Sequence, residues 1–313
     1  MTGRATLLVL ISLALSTQLV AQDADRCIAL GDSLLALDRP QKALEQYESA
    51  IKLRPDAHSY SARARAWFYQ DRMDRFVMDA DKALQLDSVY PEANYQRALY
   101  ACRAEDFRFA ERLLSRGLPG ATGKLRDQML VLRGEARAEL KKNAAAIEDL
   151  KAGIGDRNDD HEALRTLARL YDANGQYEEA LAVLVTLCVV EPENIGHWTN
   201  RGYELLELQR YEDALAMFEK ALKLDKDEPV ARSNRAYCLL KLGRSEEAMA
   251  DVEQSLKAYP ANPYALRTRA LLYLAKGERE KACNDLSLAK ILGTVPEVDQ
   301  LIQEHCGGTT APR

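Results

Sequence analysis

The chain reads as an all-α protein built from about eight helical hairpins, and two rulers of small residues carry that reading. The first ruler runs through Gly31, Ala64, Ala98, Gly134, Ala168, Gly202, Ala236 and Ala270, at spacings of 33, 34, 36, 34, 34, 34 and 34 residues. The second follows twelve residues behind, at Ala43, Phe76, Ala110, Ala146, Ala180, Ala214, Ala248 and Ala282, small in seven of its eight positions. A fixed period of this size is the mark of a chain that stacks one supersecondary unit on the next.

Each unit divides in the same way. Apolar residues between the rulers fall at helical spacing, and turn formers such as Asn174-Gly175, Gly243 and Gly277 stand where one helix stops and the next starts. Pro55, Pro192 and Pro260 share a slot 24 residues after the first ruler in the first, fifth and seventh units, and proline cannot continue a helix, so it separates units there. Small residues are expected where two helices approach most closely, because a larger side chain would hold the backbones apart. The second unit keeps this rule while exchanging partners. It has Phe76 on the second ruler but Ala80 four residues later, where other units place Tyr47, Leu114, Leu150, Leu184 or Phe218, so volume is moved and not added.

The sixth unit carries Trp198, Gly202, Tyr211, Ala214, Phe218 and Ala221. In this pattern the chain resembles the tetratricopeptide repeat family, over about residues 24–296. The fourth unit departs from it, with Asn143 where an aromatic is usual and Gly153 where alanine is usual. The resemblance implies a right-handed α-solenoid whose first helices line a concave groove. Gly117-Leu118-Pro119-Gly120 and Gly153-Ile154-Gly155-Asp156 bracket this poorest repeat; either the array bends there or the loops are longer. A short capping helix is expected over 297–306 and a disordered tail over 307–313.

With 313 residues, 47% of them apolar, the chain could form two globular domains, but a repeat array buries its core between neighbours and needs no division. A formal net charge of −5 argues against a nucleic-acid partner. Residues 1–21 read as a secretory signal: Arg4, an apolar run from Ala5 to about Leu15, then a more polar stretch ending in Ala21 before Gln22-Asp23. Cleavage is expected after Ala21, with Ser16 as the other choice, and the mature chain is expected to be secreted or periplasmic. The run is short and interrupted for a spanning helix, so no integral membrane segment is expected once the signal is removed; the alternative is an uncleaved anchor. Asp25-Arg26 before Cys27 does not fit a lipidation site.

Six cysteines in an exported chain allow several pairings. Repeat phase singles out Cys283, on the second helix of the last unit, and Cys306, at the end of the capping helix, as a disulfide candidate; the alternative is that free cysteines serve as small buried hydrophobes. Gly117 to Lys124 superficially suggests a phosphate loop, but its glycines are misspaced, Leu125 replaces the magnesium-binding hydroxyl and no strand precedes it. His58, His161, His197 and His305 lie in different units without metal-ligand spacing. No nucleophile and base can be paired, so no enzyme, metal or cofactor is expected.

The groove implied by the resemblance is the candidate site. Asn200 and Asn234 share a repeat slot, and stacked amides can pair with the backbone of an extended peptide whatever its side chains. Tyr203 and Tyr237 follow three positions on, then Leu206 and Leu240, with Leu274 in the next unit, which places an apolar strip beside a polar one. Arg165, Arg169 and Arg267 add positive charge that would favour an acidic or carboxylate-bearing segment. The alternative for the set is packing between neighbouring first helices. The carboxylate clamp of chaperone-binding members is not reproduced, since its lysine slots carry Arg165, then Val230 or Tyr264. Arg63, Arg97, Arg133, Arg201, Arg235 and Arg269 recur immediately before the small residue, where pairing with acids of a neighbouring repeat would explain them. The expected function is an exported scaffold that binds extended peptide segments of a protein partner, of open oligomeric state. The alternative is an accessory subunit of a cell-envelope or secretion complex that uses its convex face and array ends.

Overall fold

The computed structural model describes residues 20–157 and 159–307. Most of the signal segment and the tail therefore lie outside the described residues. The fold is an all-α repeat solenoid, and its packing falls into two compact units divided after Arg157, immediately beyond the Gly153–Asp156 stretch. The first holds α1 (20–36), α2 (Pro40–Leu53), α3 (Ala57–Tyr69), α4 (Met73–Leu86), α5 (Pro91–Arg103), α6 (Phe107–Gly117), α7 (Gly123–Glu139) and α8 (Asn143–Ile154). The second holds α9 (His161–Ala173), α10 (Tyr177–Val190), α11 (Ile195–Glu207), α12 (Tyr211–Leu224), α13 (Pro229–Lys241), α14 (Ser245–Ala258), α15 (Pro263–Ala275), α16 (Arg279–Leu292) and α17 (Val298–His305). Within each unit, consecutive helices pair as hairpins, and hairpins stack on their sequence neighbours.

The first ruler marks close approach inside a hairpin. A methyl group on Gly31 would meet the Tyr47 ring at 2.5 Å, on Gly134 the Leu150 side chain at 2.7 Å, and on Gly202 the Phe218 ring at 2.6 Å. Each partner lies four residues beyond the second ruler and is fully buried, so the glycine makes room for the large side chain that closes the hairpin. In the second unit Phe76 and Ala80 are both buried, consistent with moved volume.

The turn between the two helices of every hairpin contains one residue of left-handed backbone, at Asp38, Asp71, Glu105, Lys141, Gly175, Gln209, Gly243 and Gly277, with φ between 54° and 78°. It closes the first helix by reversed hydrogen bonds: the Gly243 N–H donates to the Leu240 carbonyl at 3.0 Å and the Arg244 N–H to Leu239 at 2.9 Å. The geometry repeats in all eight units while glycine appears in three.

The extra length of the fourth unit is taken up by a 3-10 turn at Leu118–Gly120 and by α7, which has 17 residues where α5 and α9 on either side have 13. Gly153, which departs from the family pattern, has a packing reason. A Cβ there would lie 2.8 Å from the Asp127 carbonyl oxygen and from the Val131 amide nitrogen, so α8 touches α7 backbone to backbone. Gly153→Ala should therefore cost about 1–3 kcal/mol, read as a lowered urea midpoint, because backbone cannot rotate out of the way as a side chain can. An unchanged midpoint would mean that the two helices separate freely.

The recurrent arginines are structural, with one correction. Arg63–Asp79, Arg133–Asp149, Arg235–Asp251 and Arg269–Asp285 each close at 2.7 Å within their own hairpin, sixteen residues apart. Among these arginines Arg97 alone pairs with an acid of a neighbouring repeat, back to Asp81 at 2.9 Å. Arg201 meets Met217 in the partner slot and lies instead 5.9 Å from the Trp198 ring. At the C-terminal end, Val295 and Val298 are buried in the core of the last hairpins and α17 packs on α16. Cys283 and Cys306 are joined by a disulfide, with Cα atoms 5.7 Å apart. Cys238 is fully buried, and that burial pushes its thiol up to about 12, so it stays protonated and unreactive.

Candidate functional site

Two cavities among the described residues adjoin each other in the second compact unit. One, of about 400 Å³, lies between α9 and α11, with Leu184 and Leu187 of α10 also lining it. Its walls are single helical stripes. Arg165, Arg169 and Asp172 recur at four- and three-residue steps on α9; His197, Asn200, Tyr203 and Glu204 do so on α11. The other cavity, of about 310 Å³, is lined by Tyr203, Leu206 and Glu207 of α11, Asn234, Tyr237 and Lys241 of α13, Tyr264 and Arg267 of α15, and Pro296-Glu297 ahead of α17. Tyr203 belongs to both.

Most of the residues selected by repeat phase meet here. Asn200 stands on the wall of the first cavity and Asn234 on that of the second, and neither amide has a side-chain partner among the described residues. Tyr203 and Tyr237 line the same space. The apolar strip is mainly packing: Leu206 is buried in the core around Phe218, and Leu240 packs against the core of the last hairpins without lining either cavity.

The arginines behave differently from the expectation of open positive charge. Arg165 is spent on Glu162 at 2.7 Å and Glu191 at 3.0 Å. Glu191 is a hub, since it also receives His197 Nε2 at 2.6 Å and His161 Nδ1 at 2.8 Å. The hydrogen bond from His197, with those from His161 and Arg165, outweighs desolvation and holds the Glu191 carboxyl down at about 2. Arg169 is engaged as well. Arg267 is only 7% exposed and its guanidinium lies 4.1 Å from the Tyr237 ring centroid and 5.8 Å from that of Tyr264, so its charge is held against aromatic faces.

One residue that sequence reasoning missed is Glu204. It lines the first cavity, is 3% exposed, and its Oε2 has no hydrogen-bond partner. Burial, then the neighbouring charges of Asp172 and Glu207, push its carboxyl up to about 8, and burial also raises Asp172. Tyr203 beside it is raised by burial and by Glu207. The available signal was an acid next to Tyr203 on the inner stripe of α11. Repeat phase hid it, because no other unit has an acid in that slot. Among the described residues no group of three or more His, Cys, Asp or Glu could hold a metal ion, the Glu191 hub included.

Stacked helical hairpins with solvent-open cavities between their first helices define a class of repeat proteins that present a surface to other molecules. The chain belongs to the tetratricopeptide repeat family: two sequence profiles described as tetratricopeptide repeat match it, one over residues 28–91 and 199–263 and one over 137–192, together more than half of its length. No curated protein matches it. Among solved structures it is similar to YrrB, described as a TPR protein with an unusual peptide-binding site, at 22% identity and a TM-score of 0.53, covering 59% of this chain and 95% of that one. It is also similar to MamA from AMB-1, at 20% identity and a TM-score of 0.49 over 55% and 92% of the two chains. A tetratricopeptide repeat protein from Parabacteroides merdae shares 15% identity, with a TM-score of 0.47, over 91% of this chain and 99% of that one. The likeness to YrrB is of fold. Tetratricopeptide repeat proteins are scaffolds for protein or peptide partners, and no helix among the described residues is long and apolar enough to cross a membrane.

Proposed function

We propose that this chain is exported and binds an extended peptide segment of a protein partner across the first helices of residues 159–307. The observation that carries the reading is the pair of unpartnered amides, Asn200 and Asn234, in equal repeat phase on adjoining cavities, with Tyr203 as the wall between them. Amides on neighbouring helices offer donors and an acceptor to separate peptide groups of one extended segment, and the tyrosines add contact area at little cost in side-chain freedom. Export is supported by Arg4 and the apolar run that follows it.

The test is Asn200→Ala with Asn234→Ala, compared with wild type by cross-linking in cells and mass spectrometry of the proteins captured from the envelope. The double variant should keep its helical circular dichroism and bind about 1–3 kcal/mol more weakly, as buried peptide groups lose their partners. Equal capture would refute the groove, and recovery of intact Met1 from a cytosolic fraction would refute the export. A second reading, in which an array end makes the contact, draws on Leu288, Ile291 and Leu292, which share one face of α16 and are 42%, 80% and 39% exposed. It takes over when groove mutations leave capture intact.

A further inference from the structure

The sign of the partner's charge follows from which charges in the first cavity are already satisfied. Every basic group on its wall is engaged: Arg165 with Glu162 and Glu191, His197 with Glu191, and Arg169 likewise has a partner of its own. The acids are in the opposite state. Glu204 is almost fully buried on the cavity wall with Oε2 unpartnered, and Asp172 faces the same space from α9 with no ion pair or hydrogen bond from its side chain among the described residues. A buried carboxyl without a donor is costly to keep, and a polar group left orphaned in a native cavity calls for a partner.

We propose that the cavity between α9 and α11 receives a basic side chain, lysine or arginine, of the partner segment, bound between Glu204 and Asp172. This rests on the groove reading above and reverses the acidic partner expected from the arginines alone. The cation supplies what the site lacks. A lysine ammonium carries three donors and a guanidinium five, enough for the Glu204 and Asp172 oxygens with one left for the Asn200 carbonyl oxygen. The aliphatic stem of either residue lies against Leu184, Leu187 and the Tyr203 ring. The volume of about 400 Å³ accommodates such a side chain with its backbone outside. In the empty site Glu204 keeps its proton near neutral pH, so the arriving cation drives it off: binding releases a proton to solvent and strengthens as pH rises from 6 to 8, a range in which lysine and arginine themselves stay charged.

The probe is a set of nonapeptide pools, fluorescein-labelled at the amino terminus so that no α-ammonium is present. They are degenerate at the flanking positions and carry lysine, arginine, norleucine or glutamate at the centre. Wild-type protein should bind the lysine or the arginine pool about tenfold more tightly than the norleucine pool, the size expected for one charge-assisted hydrogen-bonded contact. The ratio of the two basic pools decides between ammonium and guanidinium. Glu204→Gln and Asp172→Asn, which preserve shape, should each reduce that preference to within about twofold. Calorimetry in two buffers of different ionisation enthalpy should show proton release with wild type and none with Glu204→Gln. Affinity for both basic pools equal to that for the norleucine pool overturns the cation site and leaves the peptide groove standing; tighter binding of the glutamate pool overturns it in favour of an acidic partner. Binding of no pool removes the cation site and the groove together.

Discussion

Asp149→Ala should lose about 3–5 kcal/mol of stability, read as the largest drop in urea midpoint among single changes at the arginine–aspartate slots. Asp149 is 4% exposed and accepts from Arg133 Nε and Nη2 and from Arg137 Nη1, each at 2.7 Å. Removing it leaves the part-buried Arg133 guanidinium without an acid and Arg137 with Glu111 alone, at 3.0 Å, and that uncompensated charge, more than the lost attraction, sets the size of the effect. Asp81→Ala is the control from a neighbouring repeat. The Asp81 side chain is 47% exposed where it meets Arg97, so water replaces it and the loss should stay below about 1 kcal/mol. Comparable losses at both positions would mean that burial is not what makes these pairs matter.

Wild-type protein should grow less stable as pH rises from about 4.5 to about 8, and Glu204→Gln should remove that slope. In this window the folded chain holds a proton on Glu204 that the unfolded chain has given up, because burial and the charges of Asp172 and Glu207 raise the carboxyl from 4.5 to about 8. The folded state binds the extra proton, so its stabilisation is complete below about 4.5 and is lost as pH climbs through the folded value, at about 1.4 kcal/mol per pH unit. The charged and titratable groups that line the cavity with Glu204 are Glu162, Arg165, Arg169 and Asp172 on α9 and His197 and Tyr203 on its own helix, with apolar Leu184 and Leu187 on α10; the charges of Asp172 and of Glu207 on α11 act on it. Urea midpoints at pH 5, 6, 7 and 8 measure both slopes. A parallel slope in the glutamine variant would assign the pH dependence to another group.

The hairpins, their count and their core faces were legible from the period alone. Gly31, Gly134 and Gly202 each open space for a large side chain sixteen residues later, and both members of each pair stand in the chain at fixed phase. The buried ion pairs were legible only in part: the recurrence of the arginines was read, but their acids were expected in a neighbouring repeat, whereas Asp79, Asp149, Asp251 and Asp285 follow sixteen residues later in the same hairpin. The left-handed turn residue was legible only where glycine fills it. At Asp38, Asp71, Glu105, Lys141 and Gln209 the reversed hydrogen bonds of the hairpin impose a backbone that these residues do not prefer.

By itself the sequence determined an all-α stack of hairpins, because a helix buries one stripe and a 34-residue recurrence of that stripe leaves neighbouring hairpins to cover it. It also determined which polar residues share a phase on the first helices, and so brought Asn200, Asn234, Tyr203 and Tyr237 to the same face. Only the tertiary structure decided what charge that face has left to offer. Whether Arg165 is open or spent on Glu191, and whether Glu204 is solvated or sealed without a partner, depends on side chains from helices some thirty residues away. Desolvation and pairing are sums over everything packed around a group, and no periodicity along one helix contains them.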